Sequence, residues 1–285
     1  NNILISGNKG IGKSTFIYHF ANFILSKNEE FSYNVKNFHI SENNLSYRQL
    51  INGIHPNLFV IDDNILNKDI KIEKIRNLIT FLNKSTYSKD LKIVIIDNSE
   101  NLNLNSMNAL LKILEEPTKN TYFFVINSNI NKIINTFKSR FSEFKINFTY
   151  REKEEIILNL LNQYNITLPE KNTLNNFQHE SPGNFVNIYK EFLFHDKKNI
   201  NDEVEQIILF MKKYEVEKNE NYFNYISLLI EKLYTYLSIS NIKNINKYYY
   251  NYFDILKQLN DMKKYNLNEK SSFNNIKNIL INEKQ

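Results

Sequence analysis

The chain has 285 residues and a net charge of +5, with 36 Lys and Arg against 31 Asp and Glu. It contains no cysteine, which excludes disulfides, thiolate zinc ligands and thiol catalysis, and no apolar run approaches the length of a membrane-spanning helix. The absence of cysteine fits a reducing cytosol, so we expect a cytoplasmic protein. The mildly basic charge permits contact with nucleic acid without requiring it.

The first third of the chain alternates apolar strands with a helix. Residues Asn2–Ser6 form a short apolar run typical of a strand, and a glycine-rich turn follows it. From Ser14 to Ser26 the apolar residues recur with helical spacing. Two further runs, Asn37–Ile40 and Leu58–Ile61, are possible strands.

The same alternation continues to about residue 150. The spacing of Ile72–Leu82 predicts a helix, and the β-branched run Leu91–Ile96 predicts a strand that is buried on both faces. A helix over Met107–Leu114 should stop before Pro117, and Thr121–Ile126 again has the pattern of a buried strand. Strands that alternate with helices predict an α/β domain with a parallel sheet.

Only helical periodicities follow Arg151. Glu152–Tyr164 and Pro182–Phe194 each predict one helix, and residues 202–285 predict three to five more. The aromatic run Tyr248–Phe253 is interpreted as core packing rather than as a base-stacking platform, because a single-strand binder also needs a basic groove around its aromatic residues.

These changes of pattern divide the chain into three predicted domains. They are an α/β domain at 1–148, a small helical domain at 149–196 and an all-helical domain at 197–285, with Lys197–Asn201 as the join to the last one. The first strand begins within one residue of Asn1, so we expect the natural chain to begin earlier.

The glycine-rich turn matches a phosphate-binding loop. Gly7–Ser14 fits the pattern G-x-x-x-x-G-K-[ST] between a predicted strand and a predicted helix. Glycines let backbone N–H groups turn toward phosphate oxygens, Lys13 would reach the β- and γ-phosphates, and Ser14 would hold Mg²⁺. The alternative is a plain strand–helix turn, or a loop kept only as scaffold. The predicted nucleotide-binding residues of this loop are Gly7, Asn8, Lys9, Gly10, Ile11, Gly12, Lys13, Ser14 and Thr15.

An acidic residue follows a strand that is predicted to be buried. Asp97 comes directly after Leu91–Ile96, where a phosphate-loop enzyme needs a carboxylate to orient Mg²⁺. Many nucleotide-driven motors carry a glutamate at the next position, but here it is Asn98, which cannot accept a proton from water at neutral pH. This predicts weak or absent hydrolysis, unless Glu100 or another residue substitutes.

The residues reached so far resemble the clamp-loader branch of the AAA+ proteins. The resemblance is clear over about residues 2–150, is weaker in the lid motif ESPGNF (180–185), and implies an AAA+ P-loop domain followed by a helical lid and an all-α collar domain that forms oligomers. The run NALLKILEEP followed by SRF is its most specific feature. The matching stretches are GNKGIGKST (7–15), HPNLF (55–59), KIEKIRNLITFL (71–82), KIVIIDNSENLNLNSMNALLKILEEP (92–117) and NSNINKIINTFKSRF (127–141).

The resemblance implies roles for further residues. Asn127 or Ser128 would sense the γ-phosphate of a bound nucleotide, and Asp97 would complete the Mg²⁺ site. Arg140, within Ser139-Arg140-Phe141, would be an arginine finger that reaches the ATP site of a neighbouring subunit. An ordinary surface arginine is the alternative.

Three departures from the family pattern limit what it implies. Many relatives carry a four-cysteine zinc module, which this chain cannot form, so we expect no zinc and ordinary roles for His39 and His55. Gly183 stands where the ATPase subunits carry a sensing arginine, which again disfavours hydrolysis. The segment that precedes the first strand in relatives, and contributes there to the adenine pocket, is absent from this sequence.

Three functional hypotheses follow. The favoured one is a non-motor loader subunit that scaffolds the complex and donates Arg140; the others are a gamma/tau-type ATPase subunit and an unrelated AAA+ enzyme. As implied by the resemblance, the partners would be the gamma/tau and delta subunits in a hetero-oligomer. The sliding clamp (beta) and primer-template DNA would be reached through that complex, and no membrane is expected.

Overall fold

The computed structural model describes residues 1–62, 69–84, 91–128, 134–166, 180–195 and 203–283, without the side chains of 191–195 and 220. These residues form two compact units. The first comprises residues 1–166 and 180–186, and the second contains the described residues from Asn187 onward. The three-domain division stays a prediction, and the predicted join Lys197–Asn201 lies outside the described residues.

Five strands and eleven α-helices are described. The strands are β1 (Asn2–Ser6), β2 (Leu58–Ile61), β3 (Lys92–Ile96), β4 (Thr121–Asn127) and β5 (Ser142–Lys145). The helices of the first part of the chain are α1 (Lys13–Leu25), α2 (Leu45–Ile51), α3 (Ile72–Asn83), α4 (Leu104–Glu115), α5 (Asn135–Lys138), α6 (Tyr150–Gln163) and α7 (Pro182–His195). The remaining helices are α8 (Glu203–Glu217), α9 (Glu220–Ser240), α10 (Ile245–Tyr265) and α11 (Glu269–Asn282).

The five strands form one parallel sheet in the order β2-β3-β4-β1-β5. Successive side chains of a strand point to opposite faces, so Ile93 and Ile95 enter one core while Val94 and Ile96 enter the other. Helix α1 covers the first face, and α3, α4 and α5 cover the second. The predicted α/β fold with a parallel sheet is confirmed.

Three local predictions need correction or addition. Asn37–Ile40 is not a strand; the region contains only an isolated antiparallel bridge between Asn34 and His39. The sequence patterns missed β5, an edge strand whose four residues are all exposed or half-buried, and α2, where Ser46 is the only buried residue. Neither element has the apolar periodicity on which the predictions depended.

The second unit is helical, as predicted. Helix α9 packs against α8 and α10, and α11 packs against α10 and α8, so each of these four helices contacts two of the others. Its core includes Ile207 and Phe210 from α8, Ile226 and Ile230 from α9, Ile255 and Leu259 from α10, and Ile276 and Leu280 from α11.

Core packing was the wrong interpretation for half of the Tyr248–Phe253 run. Tyr248 is buried and Tyr252 packs on Tyr234 with ring centroids 5.9 Å apart, whereas Tyr249, Tyr250 and Phe253 are 68, 72 and 61% exposed. A helix that is aromatic on several faces cannot bury all of them against one core.

None of the described helices is both long enough and apolar enough to cross a membrane.

Candidate functional site

The carboxyl ends of three neighbouring strands meet at one edge of the sheet. Ser6, the last residue of β1, pairs with Asn127, the last residue of β4. On the other side of β4, Ile96 at the end of β3 pairs with Val125, and Asp97 follows it. The phosphate loop, the predicted metal ligand and the predicted sensing residue therefore converge where ligands bind in open α/β sheets.

The phosphate loop has the backbone of an anion site. Gly10 and Gly12 have φ angles of 84° and 88°, in the left-handed region that favours glycine. Helix α1 begins at Lys13 without a side-chain cap and without an acidic residue in its first turn. Its first N–H groups therefore point toward the loop with no competing carboxylate from that turn, as a phosphate requires.

Lys13 is folded into its own loop. The side chain is only 4% exposed, and its Nζ donates to the backbone oxygens of Gly7 at 2.8 Å and Asn8 at 2.7 Å. Burial lowers the pKa of the Lys13 ammonium, an effect that the nearby carboxylates of Glu100 and Asp97 partly offset.

Ser14 and Asp97 form the pair that a phosphate-loop metal site needs. The Ser14 hydroxyl donates to Asp97 Oδ2 at 2.5 Å, although 83 residues separate them in sequence. Asp97 is 7% exposed, and its other oxygen accepts the backbone N–H of Asn98 at 2.7 Å. A hydroxyl and a carboxylate oxygen on one side of the loop are the oxygen ligands that Mg²⁺ takes beside phosphate groups, so the residues present fit Mg²⁺ and nucleotide phosphates.

Glu100 lies inside this site. The sequence suggested Glu100 only as a possible substitute for the glutamate that is missing at position 98. Its Oε2 accepts hydrogen bonds from Asn127 Nδ2 at 3.2 Å and from the backbone N–H of Ser128 at 3.1 Å. Both predicted sensing residues are thus bound to one carboxylate. A sequence pattern could not show this contact, since it depends on β3 and β4 being neighbours in the sheet.

The lid motif closes on the phosphate loop. Gly183 N donates to Gly10 O at 2.8 Å, and a Cβ on Gly183 would lie 2.7 Å from that oxygen. A Cβ on Gly10 would in turn overlap Ser181 Oγ. Any side chain at position 183 would force these two segments apart.

Arg140 lies on the surface, away from its own phosphate loop. It belongs to the turn between α5 and β5, and Asn2 Nδ2 donates to its carbonyl oxygen at 3.2 Å. Its guanidinium is 49% exposed and donates through one Nη to Glu115 Oε1 at 2.7 Å. Asn2 starts β1 and Ser6 ends it, so the turn and the loop lie at opposite ends of a strand roughly 13 Å long.

The two histidines of the 30–60 region have ordinary contacts. His39 pairs through its backbone with Asn34. His55 Nδ1 accepts the backbone N–H of Asn57 at 3.1 Å, and its Nε2 lies 3.3 Å from Ser46 Oγ.

A glycine-rich loop between β1 and α1, an acidic residue after β3 and a polar residue at the end of β4 give this chain the phosphate-loop arrangement of the AAA+ fold. Across the whole chain, the fold resembles a solved DNA polymerase III gamma subunit-related protein from Thermotoga maritima, with a TM-score of 0.51 at 16% identity over 100% of this chain and 95% of that one.

The family described as "DNA polymerase III, delta subunit" has a model that matches residues 1–149, more than half of the chain. The chain therefore belongs to this family of clamp-loader subunits, and the predicted resemblance is confirmed. Among curated relatives, DNA polymerase III subunit delta′ of Pseudomonas aeruginosa is 34% identical over 88 residues, which are 31% of this chain and 27% of that protein. The subunit gamma of Buchnera aphidicola from Schizaphis graminum is 28% identical over 158 residues, or 55% of this chain and 40% of that protein. The matches thus span less than half the length of these two relatives.

Proposed function

We propose that this chain is the delta prime subunit of a bacterial DNA polymerase III clamp loader. In the cytoplasm it would join gamma/tau and delta subunits in a hetero-oligomer that loads the sliding clamp onto primed DNA during replication. Its own contribution would be to scaffold the complex and to donate Arg140 to a neighbouring ATP site. Residues 1–148 would be the AAA+ domain, 149–196 the lid and 197–285 the collar.

The position of Arg140 carries this proposal. Its half-exposed guanidinium lies at the amino end of β1, whereas the phosphate loop of the same chain lies at the carboxyl end. An arginine in that position is turned away from its own nucleotide site and is accessible to another subunit. The buried Phe137 and the packed Phe141 hold the turn, with ring centroids 4.9 Å apart. A charge on a fixed turn is the arrangement that phosphoryl transfer in trans requires.

The chain's own site supports nucleotide retention rather than turnover. Lys13 would bind the phosphates, Ser14 and Asp97 would hold Mg²⁺, and Asn127 or Ser128 would contact a γ-phosphate. The bound ion would neutralise charge on the phosphate oxygens. Asn98 offers no carboxylate next to Asp97, and Gly183 leaves no room for a sensing arginine.

A gamma/tau-type subunit that hydrolyses ATP itself is the second candidate. The Ser14–Asp97 contact at 2.5 Å and the similarity to a gamma subunit favour it. The two candidates differ in the purified chain: the delta prime hypothesis expects negligible ATPase activity, while a gamma-type subunit would show turnover that is lost in Lys13→Ala.

The arginine finger is tested in a loader reconstituted with partner gamma and delta subunits. The Arg140→Ala variant should still co-purify with them. It should slow hydrolysis at the one neighbouring ATP site about 10³-fold. The clamp- and DNA-stimulated ATPase rate of the whole loader should therefore fall by the fraction that this site contributes. Arg151→Ala, an exposed arginine on α6, is the matched control and should leave the rate unchanged. An Arg140→Ala loader with wild-type ATPase activity would show that this residue is not a finger.

A further inference from the structure

The carboxylate of Glu100 accepts hydrogen bonds from both residues that are predicted to contact a γ-phosphate. Asn127 Nδ2 and the Ser128 N–H both point to Glu100 Oε2, at 3.2 and 3.1 Å. Asn127 Nδ2 also lies 3.3 Å from Ser99 Oγ, so its donor capacity is directed to the segment that follows β3.

The backbone holds Glu100 in this place. Asn98 adopts a left-handed conformation with φ 51°, which asparagine tolerates better than most residues, and a 3₁₀ turn over Ser99–Asn101 follows. The Asn98 N–H donates to Asp97 Oδ1 at 2.7 Å, and Asn101 N donates to Asn98 O at 2.9 Å. The left-handed conformation of Asn98 and the 3₁₀ turn after it thus place the carboxylate of Glu100 against the end of β4.

The buried amide of Asn127 offers a phosphate only its donor group. Asn127 is fully buried, and its Oδ1 has no hydrogen-bond partner among the described residues. A phosphate oxygen accepts hydrogen bonds, so it would need Nδ2, which already donates to Glu100 and Ser99.

We propose that Glu100 occupies the γ-phosphate contacts of this site, so that the chain selects a nucleoside diphosphate over a triphosphate. This rests on the proposed nucleotide retention. A diphosphate ends at the β-phosphate and leaves the Glu100 contacts intact. A triphosphate must displace the carboxylate from Asn127 and Ser128 or lie close to a like charge, and both cost free energy.

The test is nucleotide affinity of the purified full chain, measured by displacement of a fluorescent ADP with Mg²⁺–ADP and with a non-hydrolysable ATP analogue. Wild type should bind ADP more tightly than the analogue. Glu100→Gln keeps an oxygen to accept the two hydrogen bonds but removes the charge, and should raise affinity for the analogue roughly tenfold while changing ADP affinity less than about twofold. Glu100→Ala should do the same, and Glu116→Gln, an exposed acid on the surface, should change neither.

Three results would overturn the proposal: equal shifts for both nucleotides, no shift, or no binding of the analogue to Glu100→Ala. ATP turnover by the wild-type chain that disappears in Glu100→Gln would also overturn it, because the carboxylate would then act as a base. The finger hypothesis is separate. If Glu100→Gln shifts the relative affinity for the ATP analogue and ADP, but Arg140→Ala leaves the loader ATPase rate unchanged, only the finger role fails. If Arg140→Ala lowers that rate but Glu100→Gln does not shift the relative affinity, only the selection by Glu100 fails.

Discussion

At the scale of single residues, one carboxylate connects the turn of Arg140 to the strand that leads into the phosphate loop. Glu143 on β5 accepts a hydrogen bond from Ser6 Oγ at 2.8 Å and pairs with Lys138 Nζ at 2.9 Å. Ser6 is fully buried and directly precedes Gly7. Partial burial alone would raise the pKa of the Glu143 carboxyl, but the contacts with Lys138 and Ser6 hold it below its ordinary value of 4.5.

Because the pKa of Glu143 is lower in the folded state than in the unfolded state, its contribution to stability is present above the ordinary pKa and is lost as the pH falls through the folded-state pKa. Glu143→Gln should therefore lower the free energy of unfolding at neutral pH by about 1 kcal/mol. The difference from wild type should shrink below pH 4.5, which urea unfolding at several pH values can measure. A difference that stays constant with pH would mean that the ionised form has no special role.

The residue scale also shows what a sequence can reveal about a site. The positions of the phosphate loop, Asp97 and Asn127 were predictable because each lies at or just after the end of a strand whose apolar pattern is clear, and carboxyl ends of parallel strands meet at one edge. The contacts of Glu100 and Gly183 were not. They join segments 27 and 173 residues apart in sequence, and only the sheet order and the packed lid bring them together.

At the scale of the elements, the end of α3 depends on a lysine from the neighbouring strand. Lys92 begins β3 and is 5% exposed. Its Nζ donates to Leu82 O at 2.7 Å and Phe81 O at 3.1 Å, and also to Lys84 O. Burial lowers the pKa of this ammonium, yet it donates hydrogen bonds to the last carbonyl groups of α3, of which Phe81 O also accepts the backbone N–H of Lys84.

Lys92→Met should keep the apolar stem but remove the ammonium donor from Leu82 O and Lys84 O, while Phe81 O keeps the backbone N–H of Lys84. We expect a loss of about 1–3 kcal/mol in the free energy of unfolding, measured by urea denaturation. Lys112→Met removes an exposed lysine near the end of α4 and should change stability by less than about 0.5 kcal/mol. Equal effects of the two substitutions would contradict the capping role.

Two errors of the sequence reasoning, the missed strand β5 and the misjudged burial in α10, have different physical causes. Strand β5 pairs with β1 through its backbone while its side chains stay partly or fully exposed, so it has no apolar run to detect. In α10 there are apolar residues on too many sides, because a helix with aromatic residues on several sides does not reveal which side faces the core.

At the scale of the whole molecule, the second unit carries an apolar surface suited to assembly. Ile245, Tyr249 and Phe253 lie four residues apart along α10 and are 45, 68 and 61% exposed, and the rings of Tyr249 and Phe253 stack with centroids 6.4 Å apart. Residues at this spacing share one helix face. A contiguous exposed apolar face is typical of a protein interface, which agrees with the proposed collar role of residues 197–285.

Replacing Tyr249 and Phe253 together by serine should therefore weaken assembly without unfolding the chain. Because both side chains are mostly exposed, the thermal midpoint of the isolated protein should change little, whereas recovery of gamma and delta subunits in co-purification should fall about tenfold or more. Val216→Ser, at an 83% exposed position on α8, is the control for losing apolar surface elsewhere in the same unit. If the double variant assembles as well as this control, the α10 face is not a subunit contact. If it loses the partners while Arg140→Ala retains them, then assembly and finger donation depend on separate surfaces, as the proposed division of the chain requires.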